Sequence, residues 1–128
     1  MKLSEYFGSA KGIGVLGTAN AAGEVDAALY ARPHFIDEQT VAFIMADRLS
    51  HRNLQSNPQA AYLFVEHGPG YKGHRLYLTK VKEDADPDLI ASMRRRSRIE
   101  PQEPSPRYLV HFRINQVRPL VGEETSNV

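Results

Sequence analysis

The feature that most limits the fold of this chain is a series of short apolar segments separated by turn-forming residues. Runs rich in Val, Ile, Leu, Phe and Tyr alternate with Gly, Pro, Asn and Asp at intervals typical of β-hairpins. The last of these runs alternates strictly, which is the period of a half-buried strand. The pattern predicts six strands, at 13–18, 25–31, 41–46, 60–65, 75–82 and 108–115.

Helical periodicity is confined to short stretches. Leu3, Tyr6, Phe7 and Ala10 form one apolar stripe near the N-terminus, residues 47–57 suit a second helix, and Pro87 with its acidic neighbours starts a third. Because strands and helices do not alternate regularly, a doubly wound parallel sheet is not expected. The sequence therefore predicts a mostly β fold, a six-stranded antiparallel barrel with two or three short helices, since closure removes exposed strand edges.

Composition bounds the class of protein. The chain has 128 residues, which suits one domain, predicted at 1–121 with a flexible tail at 122–128. Lys+Arg is 16 and Asp+Glu is 15, so overall charge does not favour nucleic-acid binding. The absence of cysteine excludes a disulfide scaffold and a thiolate metal site, and it fits the cytoplasm, where we place the protein. The apolar runs are far shorter than the about 20 residues of a membrane span, so no membrane partner is expected.

The motifs of several enzyme classes are missing. There is no phosphate-binding Gly-rich loop ending in Lys-Ser/Thr, no H-E-x-x-H and no nucleophile elbow. The five histidines lack metal-ligand spacing, so we predict no metal site. No residue is assigned a catalytic role from the sequence alone. Arg94 to Arg98 contains four arginines, which we interpret as a solvated face at a helix end.

The segment that follows the third predicted strand is the most informative. It carries two arginines, a hydroxyl and a histidine at a predicted helix start, and backbone N–H groups at such a start favour anions. If the neighbouring strands are adjacent, Arg32 and Arg48 face one phosphate. The alternative is a solvated basic loop with surface ion pairs to Asp37 or Asp47.

One stretch of this region resembles a known family. Asn53-Leu54-x-x-Asn57-Pro58, followed by the strand at 60–65 and preceded by a hairpin and an apolar strand, is similar to the pyridoxamine 5′-phosphate oxidase-like FMN-binding split barrels. The resemblance runs from about Leu3 to Ile114. The segments 31–35, 47–49 and 70–73 resemble a small single-domain branch of that family.

The resemblance implies a homodimer with FMN in two clefts at the subunit interface. The isoalloxazine ring then lies along the backbone of the second strand, at Ala28, Leu29, Tyr30 and Ala31, and Met45 and Ala46 border the ribityl chain. The phosphate contacts fall on Arg32, Arg48, Ser50, His51, Arg52 and Asn53. Two features differ from the usual family pattern: Ala28 stands where a basic residue is common, and Ser50 and Leu49 stand where a Lys is common. Arg48, His51 or Arg52 could supply that charge from a shifted position.

The loop at 68–73 contains Tyr71 and Lys72, which could reach the substrate or the flavin of the partner subunit; a plain hairpin loop is the alternative. By resemblance, the protein is expected to be an FMN-dependent oxidoreductase that passes electrons between a reduced nicotinamide or another donor and a small acceptor. The alternatives are a non-catalytic flavin carrier, or a haem or deazaflavin binder, with His34, His51 and His111 as candidate haem ligands.

Overall fold

The computed structural model describes residues 2–94 and 107–122, and these residues form one antiparallel sheet with helices at its ends and on its outer face. In chain order the elements are α1 (Leu3–Ser9), β1 (Gly12–Ala19), β2 (Val25–Leu29), β3 (His34–Asp37), β4 (Thr40–Ala46), α2 (Leu49–Ser56), β5 (Gln59–Glu66), β6 (Gly73–Asp84), α3 (Pro87–Arg94) and β7 (Arg107–Pro119).

The strand order shows why the sheet closes. The order is β2-β1-β5-β6-β7-β4-β3, so β2 and β3 lie at opposite ends of the sheet although only residues 30–33 join them. Such a short connection holds the two ends together, and the sheet must curl into a barrel. The ring of Tyr30, directly after β2, lies 5.8 Å from the ring of Phe43 in β4. The mostly β antiparallel barrel predicted from the sequence is confirmed.

The described chain has seven strands rather than the predicted six. The additional strand is β3, which has four residues and a register shift where it pairs with β4. It lies between Pro33 and the turn at Glu38 and Gln39, in the stretch between the second and third predicted strands. A strand this short carries little periodicity, and its pairing with β4 is a tertiary contact that the local sequence does not encode.

The barrel interior is filled by alternate residues of each strand. Phe7 of α1 packs against one end of this core, with its ring 5.1 Å from Phe64 and 5.9 Å from Phe35. The largest side chains of this interior have no exposed surface, and they are Leu16, Val41, Met45, Tyr62, Phe64, Leu76, Leu78, Val110 and Phe112. On the outer face, Ile90 of α3 packs on Ala42 and Leu109.

Several predictions fall on residues that are not described. The arginines at 95, 96 and 98, the proline-rich segment at 99–106 and residues 123–128 of the predicted tail lie outside the described ranges. The division of the chain at residue 121 stays a prediction. Among the described helices, none combines the length and the apolar character that crossing a bilayer requires.

Candidate functional site

Strand β2 leaves one side of its backbone unpaired within the part of the chain that the structure describes. The amide of Tyr30 donates to the carbonyl of Gly14 at 3.0 Å, which fixes the alternation of the ladder with β1. The N–H and C=O groups of Val25, Ala27 and Leu29 therefore point away from β1. The side chains of Val25 and Leu29 are 83% and 75% exposed. We call these three residues the open edge.

The strand register determines which of the four predicted flavin-contacting residues have backbone groups that point away from β1. Ala28 and Tyr30 direct their amides toward β1, as the alternation requires. The carbonyls of Tyr30 and Ala31 accept hydrogen bonds from the hydroxyl of Tyr62, at 3.2 and 3.1 Å. Of the four predicted backbone positions, Leu29 is the one that keeps both its N–H and its C=O on the open edge.

The N-terminus of α2 meets the end of β2. The Tyr30 hydroxyl is hydrogen-bonded to Ser50, which is 3% exposed, and the positive charge of Arg48 acts on the same phenol. Burial raises the pKa of Tyr30, the Ser50 hydrogen bond and Arg48 oppose that rise, and Asp26 adds to it. Two predicted phosphate ligands, Arg48 and Ser50, are thus brought together with Tyr30 beside the open edge.

His51 points to a different part of the molecule. Its Nε2 lies 3.0 Å from Glu83 Oε2, and its Nδ1 lies 3.6 Å from Asp47 Oδ1. Its ring stacks on Tyr108, with centroids 4.0 Å apart. His51 is 7% exposed, so the imidazole ties α2 to β6 and β7 instead of lying free for a phosphate.

The remaining predicted residues of α2 divide in the same way. Asn53 is buried and donates to Thr18 Oγ1 at 3.1 Å, which holds α2 against β1. Arg52 is exposed on the helix. The segment predicted as one anion-binding unit therefore has two roles, with Arg48 and Ser50 at the open edge and His51 and Asn53 anchoring the helix.

The anchor of α2 on β6 is a charged network around Glu83. Burial acts to raise the pKa of Glu83, but hydrogen bonds from Lys80, Gln55 and His51 outweigh it and lower the pKa to about 2. Lys80 Nζ lies 2.7 Å from Glu83 Oε1. The carboxylate is therefore ionised at neutral pH and available to fix the His51 ring.

Arg32, the other predicted phosphate ligand, is bound to α1. Its Nη1 donates to the carbonyls of Phe7 and Ala10, at 3.0 and 2.7 Å. Carbonyls at a helix C-terminus lack partners within the helix, so a guanidinium is a favourable cap for them. The charge of Arg32 acts on Tyr62, whereas that of Arg48 acts on Tyr30, so the two arginines serve different groups. We call Phe7, Ala10, Arg32 and Tyr62 the sealed end.

Met45 and Ala46 end β4 in different environments. Met45 is fully buried, so its side chain contributes to core packing. Ala46 is half-buried, and its carbonyl accepts a hydrogen bond from the amide of Arg48 at 2.9 Å. Of the two residues predicted to border a ribityl chain, Ala46 is therefore the one that keeps exposed surface.

The loop after β5 displays an aromatic residue. Tyr71 is 81% exposed and has a φ of 49°, a left-handed conformation that residues other than glycine seldom adopt. The carbonyl of Lys72 accepts from the amide of Glu66 at 2.8 Å, which closes the hairpin. Both residues lie where a partner molecule or a ligand could reach them, and their predicted role stays a prediction. No set of three metal-ligating side chains is present among residues 2–94 and 107–122.

Comparison with known proteins places this geometry in a wider group. No protein-family model matches the sequence, and no curated protein matches it. An FMN-binding protein from Syntrophomonas wolfei superposes with a TM-score of 0.78 at 15% identity, over 96% of this chain and 86% of that one. A protein named F420 reductase gives a TM-score of 0.73 at 16% identity, over 92% and 98%. Others are named for pyridoxamine 5′-phosphate oxidase.

The chain has the split-barrel fold of the pyridoxamine 5′-phosphate oxidase-like proteins. Proteins with this fold are described with different ligands. HutZ from Vibrio cholerae, described as a heme storage protein, gives a TM-score of 0.66 at 16% identity, over 93% of this chain and 95% of that one. At these identities the likeness shows the fold of the split barrel, and the ligand must be argued from the residues of this chain.

Three residues that shape the split barrel's site were missed from the sequence. Tyr62 receives no functional role from the sequence, yet its hydroxyl donates to the backbone carbonyls that follow β2. Gly14 makes room for that hydroxyl, because a Cβ at this position would lie 1.9 Å from it. Glu83 lies 32 residues from His51 along the chain, and nothing in the local pattern indicates that contact.

Proposed function

We propose that this split barrel is a cytoplasmic, homodimeric FMN-binding oxidoreductase that passes electrons between a reduced nicotinamide or another donor and a small acceptor. When bound, the flavin supplies the electron-transfer chemistry, and the protein supplies binding, orientation and hydrogen bonds near the ring nitrogens. The residues of this chain therefore need to hold a flat polar ring at one point and a phosphate at another.

The observation that carries the proposal is the open edge beside the start of α2. The N–H and C=O groups of Leu29 and Ala27 point away from β1, and an isoalloxazine edge presents complementary donors and acceptors. Proteins usually protect an unpaired strand edge, for example with a helix or a loop, since exposed edges promote aggregation. A flavin edge is a suitable cover.

The phosphate end of the proposed site lies at α2. Arg48 and Ser50 supply a guanidinium and a hydroxyl, and the helix start adds unpaired backbone N–H groups. The Ser50 hydroxyl is hydrogen-bonded to the phenol of Tyr30. A phosphate that accepts hydrogen bonds from Ser50 and Tyr30 together would satisfy both hydroxyls. Arg32 is the weaker candidate, because both N–H groups of its Nη1 already serve α1.

The proposed dimer rests on the outer face of β1 and β2. Ile13 is 54% exposed and lies two residues from Val15, the cross-strand partner of the exposed Leu29, and Val25 lies on the same face four residues before Leu29. Contiguous exposed apolar surfaces on soluble proteins commonly mark interaction sites. A second copy of the chain would cover this surface and deepen a cleft that one small barrel leaves shallow. Sedimentation equilibrium should give twice 14.4 kDa, and Leu29→Lys should lower that mass.

The direct experiment is a visible spectrum of the purified protein, followed by titration with FMN and with riboflavin. The proposal expects an oxidised-flavin spectrum or saturable uptake of FMN, and weaker binding of riboflavin, which lacks the phosphate. A protein that takes up neither compound contradicts the proposal. Equal affinity for FMN and riboflavin would retain a flavin site and remove the phosphate assignment.

Catalysis and passive carriage are separated by a second step. The FMN-loaded protein is mixed anaerobically with NADH or NADPH, and flavin bleaching is followed. Bleaching at a rate well above that of free FMN supports an oxidoreductase. Absence of bleaching with either nucleotide, together with tight FMN binding, would favour the carrier.

A haem or deazaflavin ligand is the second candidate, because a protein of this fold is described as a heme storage protein. Of the candidate haem ligands, His51 is engaged with Glu83, and His34 is half-buried on β3. His111 is 6% exposed, and burial together with the nearby charge of Lys82 lowers its pKa against an opposing hydrogen bond to the Leu109 backbone. A Soret band that His111→Ala abolishes would favour haem over flavin.

A further inference from the structure

Two arginines face each other on the outer surface of the barrel, away from the open edge. Arg75 of β6 and Arg118 of β7 are cross-strand partners. Their neighbours Leu76 and Val117 are buried in the core, so the arginines lie on the opposite face of the sheet. Like charges directly opposite each other in a sheet are destabilising, and such a pair calls for a compensating group.

The protein itself compensates Arg75 in part. Its Nε donates to the carbonyl of Pro119 at 2.8 Å, and its Nη2 donates to the carbonyl of Gly122. These bonds orient the guanidinium but use two of its five N–H donors. Three donors remain for an acceptor outside this pair of carbonyls.

Arg118 is less well satisfied. Its Cζ lies 5.5 Å from the centre of the Tyr77 ring, and its Nε is shielded from solvent with no hydrogen-bond partner within the described ranges. A buried N–H without an acceptor is unfavourable, and a contact with a ring face does not replace a hydrogen bond. No carboxylate among the described residues forms an ion pair with either arginine.

We propose that Arg75 and Arg118 form a binding site for a small molecule that carries a carboxylate or a phosphate group. An oxyanion between them would neutralise both charges and give Arg118 Nε an acceptor. The guanidinium of Arg118 would move off Tyr77 to do so, because a charge-assisted hydrogen bond is stronger than a cation–π contact at a half-exposed site.

The strand register also indicates the chemistry of the rest of the ligand, because it shows which side chains lie beside the arginines. Leu63 of β5 is the cross-strand partner of Arg75, and Val15 of β1 is the partner of Leu63. Together with Arg118, these three side chains lie in one row on the outer face, with the two cations at one end and the two aliphatic residues next to them. A carboxylate or phosphate joined to an apolar body fits this row better than a bare ion. The two arginines lie on β6 and β7, three and four strands from β2, whereas the row ends at Val15 of β1, the cross-strand partner of Leu29. The anion contact at the arginines does not depend on flavin binding.

The test follows the arginine Nε–H signals by NMR in ¹⁵N-labelled full-length protein. The probes are benzoate and phenyl phosphate, with inorganic phosphate as the bare head group and benzamide as the neutral body. Benzoate and phenyl phosphate should move the Arg118 Nε–H signal downfield in a saturable way. Inorganic phosphate should bind more weakly, and benzamide should leave the signal in place.

Arg75→Gln should weaken benzoate binding by about tenfold, the effect of losing one charge-assisted contact. The matched control is Arg113→Gln, an exposed arginine on β7, the strand of Arg118, whose Nε already donates to Asn115 Oδ1 at 3.2 Å. This variant should bind like the wild type. Thermal unfolding of both variants checks that the barrel is intact.

Three results would overturn the proposal. The first is an Arg118 Nε–H signal that no probe moves, and the second is equal loss of binding in Arg75→Gln and Arg113→Gln. The third is a signal that is already downfield in the free protein and moves upfield in Glu123→Gln/Glu124→Gln. That result would mean that carboxylates of the chain itself, not a small molecule, serve the two arginines.

Discussion

The open edge lies on β2, and the sealed end surrounds the connection at residues 30–33 that follows it, yet the two neighbouring regions use their polar groups differently. At the sealed end, Tyr62 and Arg32 donate to backbone carbonyls, and those hydrogen bonds are internal to the protein. At the open edge, the backbone N–H and C=O groups of Leu29 point away from β1, and the exposed Arg48 and the buried Ser50 lie beside them around Tyr30. Substitutions at the sealed end should therefore change stability, and substitutions at the open edge should change ligand affinity.

The largest effect on stability is expected for Gly14→Ala, which adds a methyl group against Tyr62 at the sealed end. The added Cβ would lie 1.9 Å from the Tyr62 hydroxyl and 2.6 Å from the Tyr30 carbonyl. Relief requires movement of a buried tyrosine, so the free energy of unfolding should fall by about 3 kcal/mol in chemical denaturation. Gly8→Ala is the control, because nothing lies within 4 Å of its Cβ, and it should be neutral or stabilising. Equal stability of the two variants would contradict the packing described for Tyr62.

The next effect concerns the open edge and is seen in binding. Arg48→Ala should weaken FMN binding by about 10- to 100-fold, the cost of one charge-assisted phosphate contact, and leave riboflavin binding unchanged. Arg52→Ala, an exposed arginine on the same helix, should have little effect on either ligand. If Arg32→Ala selectively weakens FMN and Arg48→Ala does not, the phosphate belongs at the sealed end and the comparison between the two regions is wrong.

Tyr62→Phe sharpens the comparison with a change of a single atom. It removes the hydroxyl that serves the carbonyls of Tyr30 and Ala31, so the unfolding free energy should fall by about 1–2 kcal/mol. Tyr71→Phe, at an 81% exposed position, should leave stability unchanged. A destabilised Tyr62→Phe protein with wild-type stoichiometry for FMN is the expected result. An unchanged stability would show that these bonds do not hold the connection.

The smallest effect is the pH dependence contributed by Glu83. Its pKa is lowered in the folded protein from 4.5 to about 2, so the carboxylate stabilises the fold above pH 4.5. That contribution is lost as the pH falls from 4.5 toward about 2, where the folded protein also takes up the proton. Thermal unfolding of wild type and Glu83→Gln should therefore converge across this window. A constant difference between wild type and Glu83→Gln across the window would contradict the assignment.

Much of the fold was predictable because strand and turn signals are local. The alternation around Phe112 and the turn residues near Asn20 indicate strands without any knowledge of their partners. The short strand β3 escaped prediction, since four residues hold too little periodicity and only pairing with β4 defines them.

The candidate site was predicted less completely, for a related reason. Arg48 and Ser50 could be placed at a helix start from their neighbours in sequence. The contacts of Arg32 and His51 could not be predicted, because their partners, Ala10 and Glu83, lie 22 and 32 residues away along the chain. Arg118 and Arg75 likewise meet through the register of β6 with β7.

The order of residues along this chain was sufficient to determine an antiparallel β protein with short helices, since hydrophobic period and turn chemistry act over a few positions. Only the tertiary structure decided which polar groups are satisfied internally and which are left to face a ligand. Hydrogen bonds and charge pairs depend on distances of a few ångströms between strands and helices far apart in sequence, and those distances exist only once the barrel has closed.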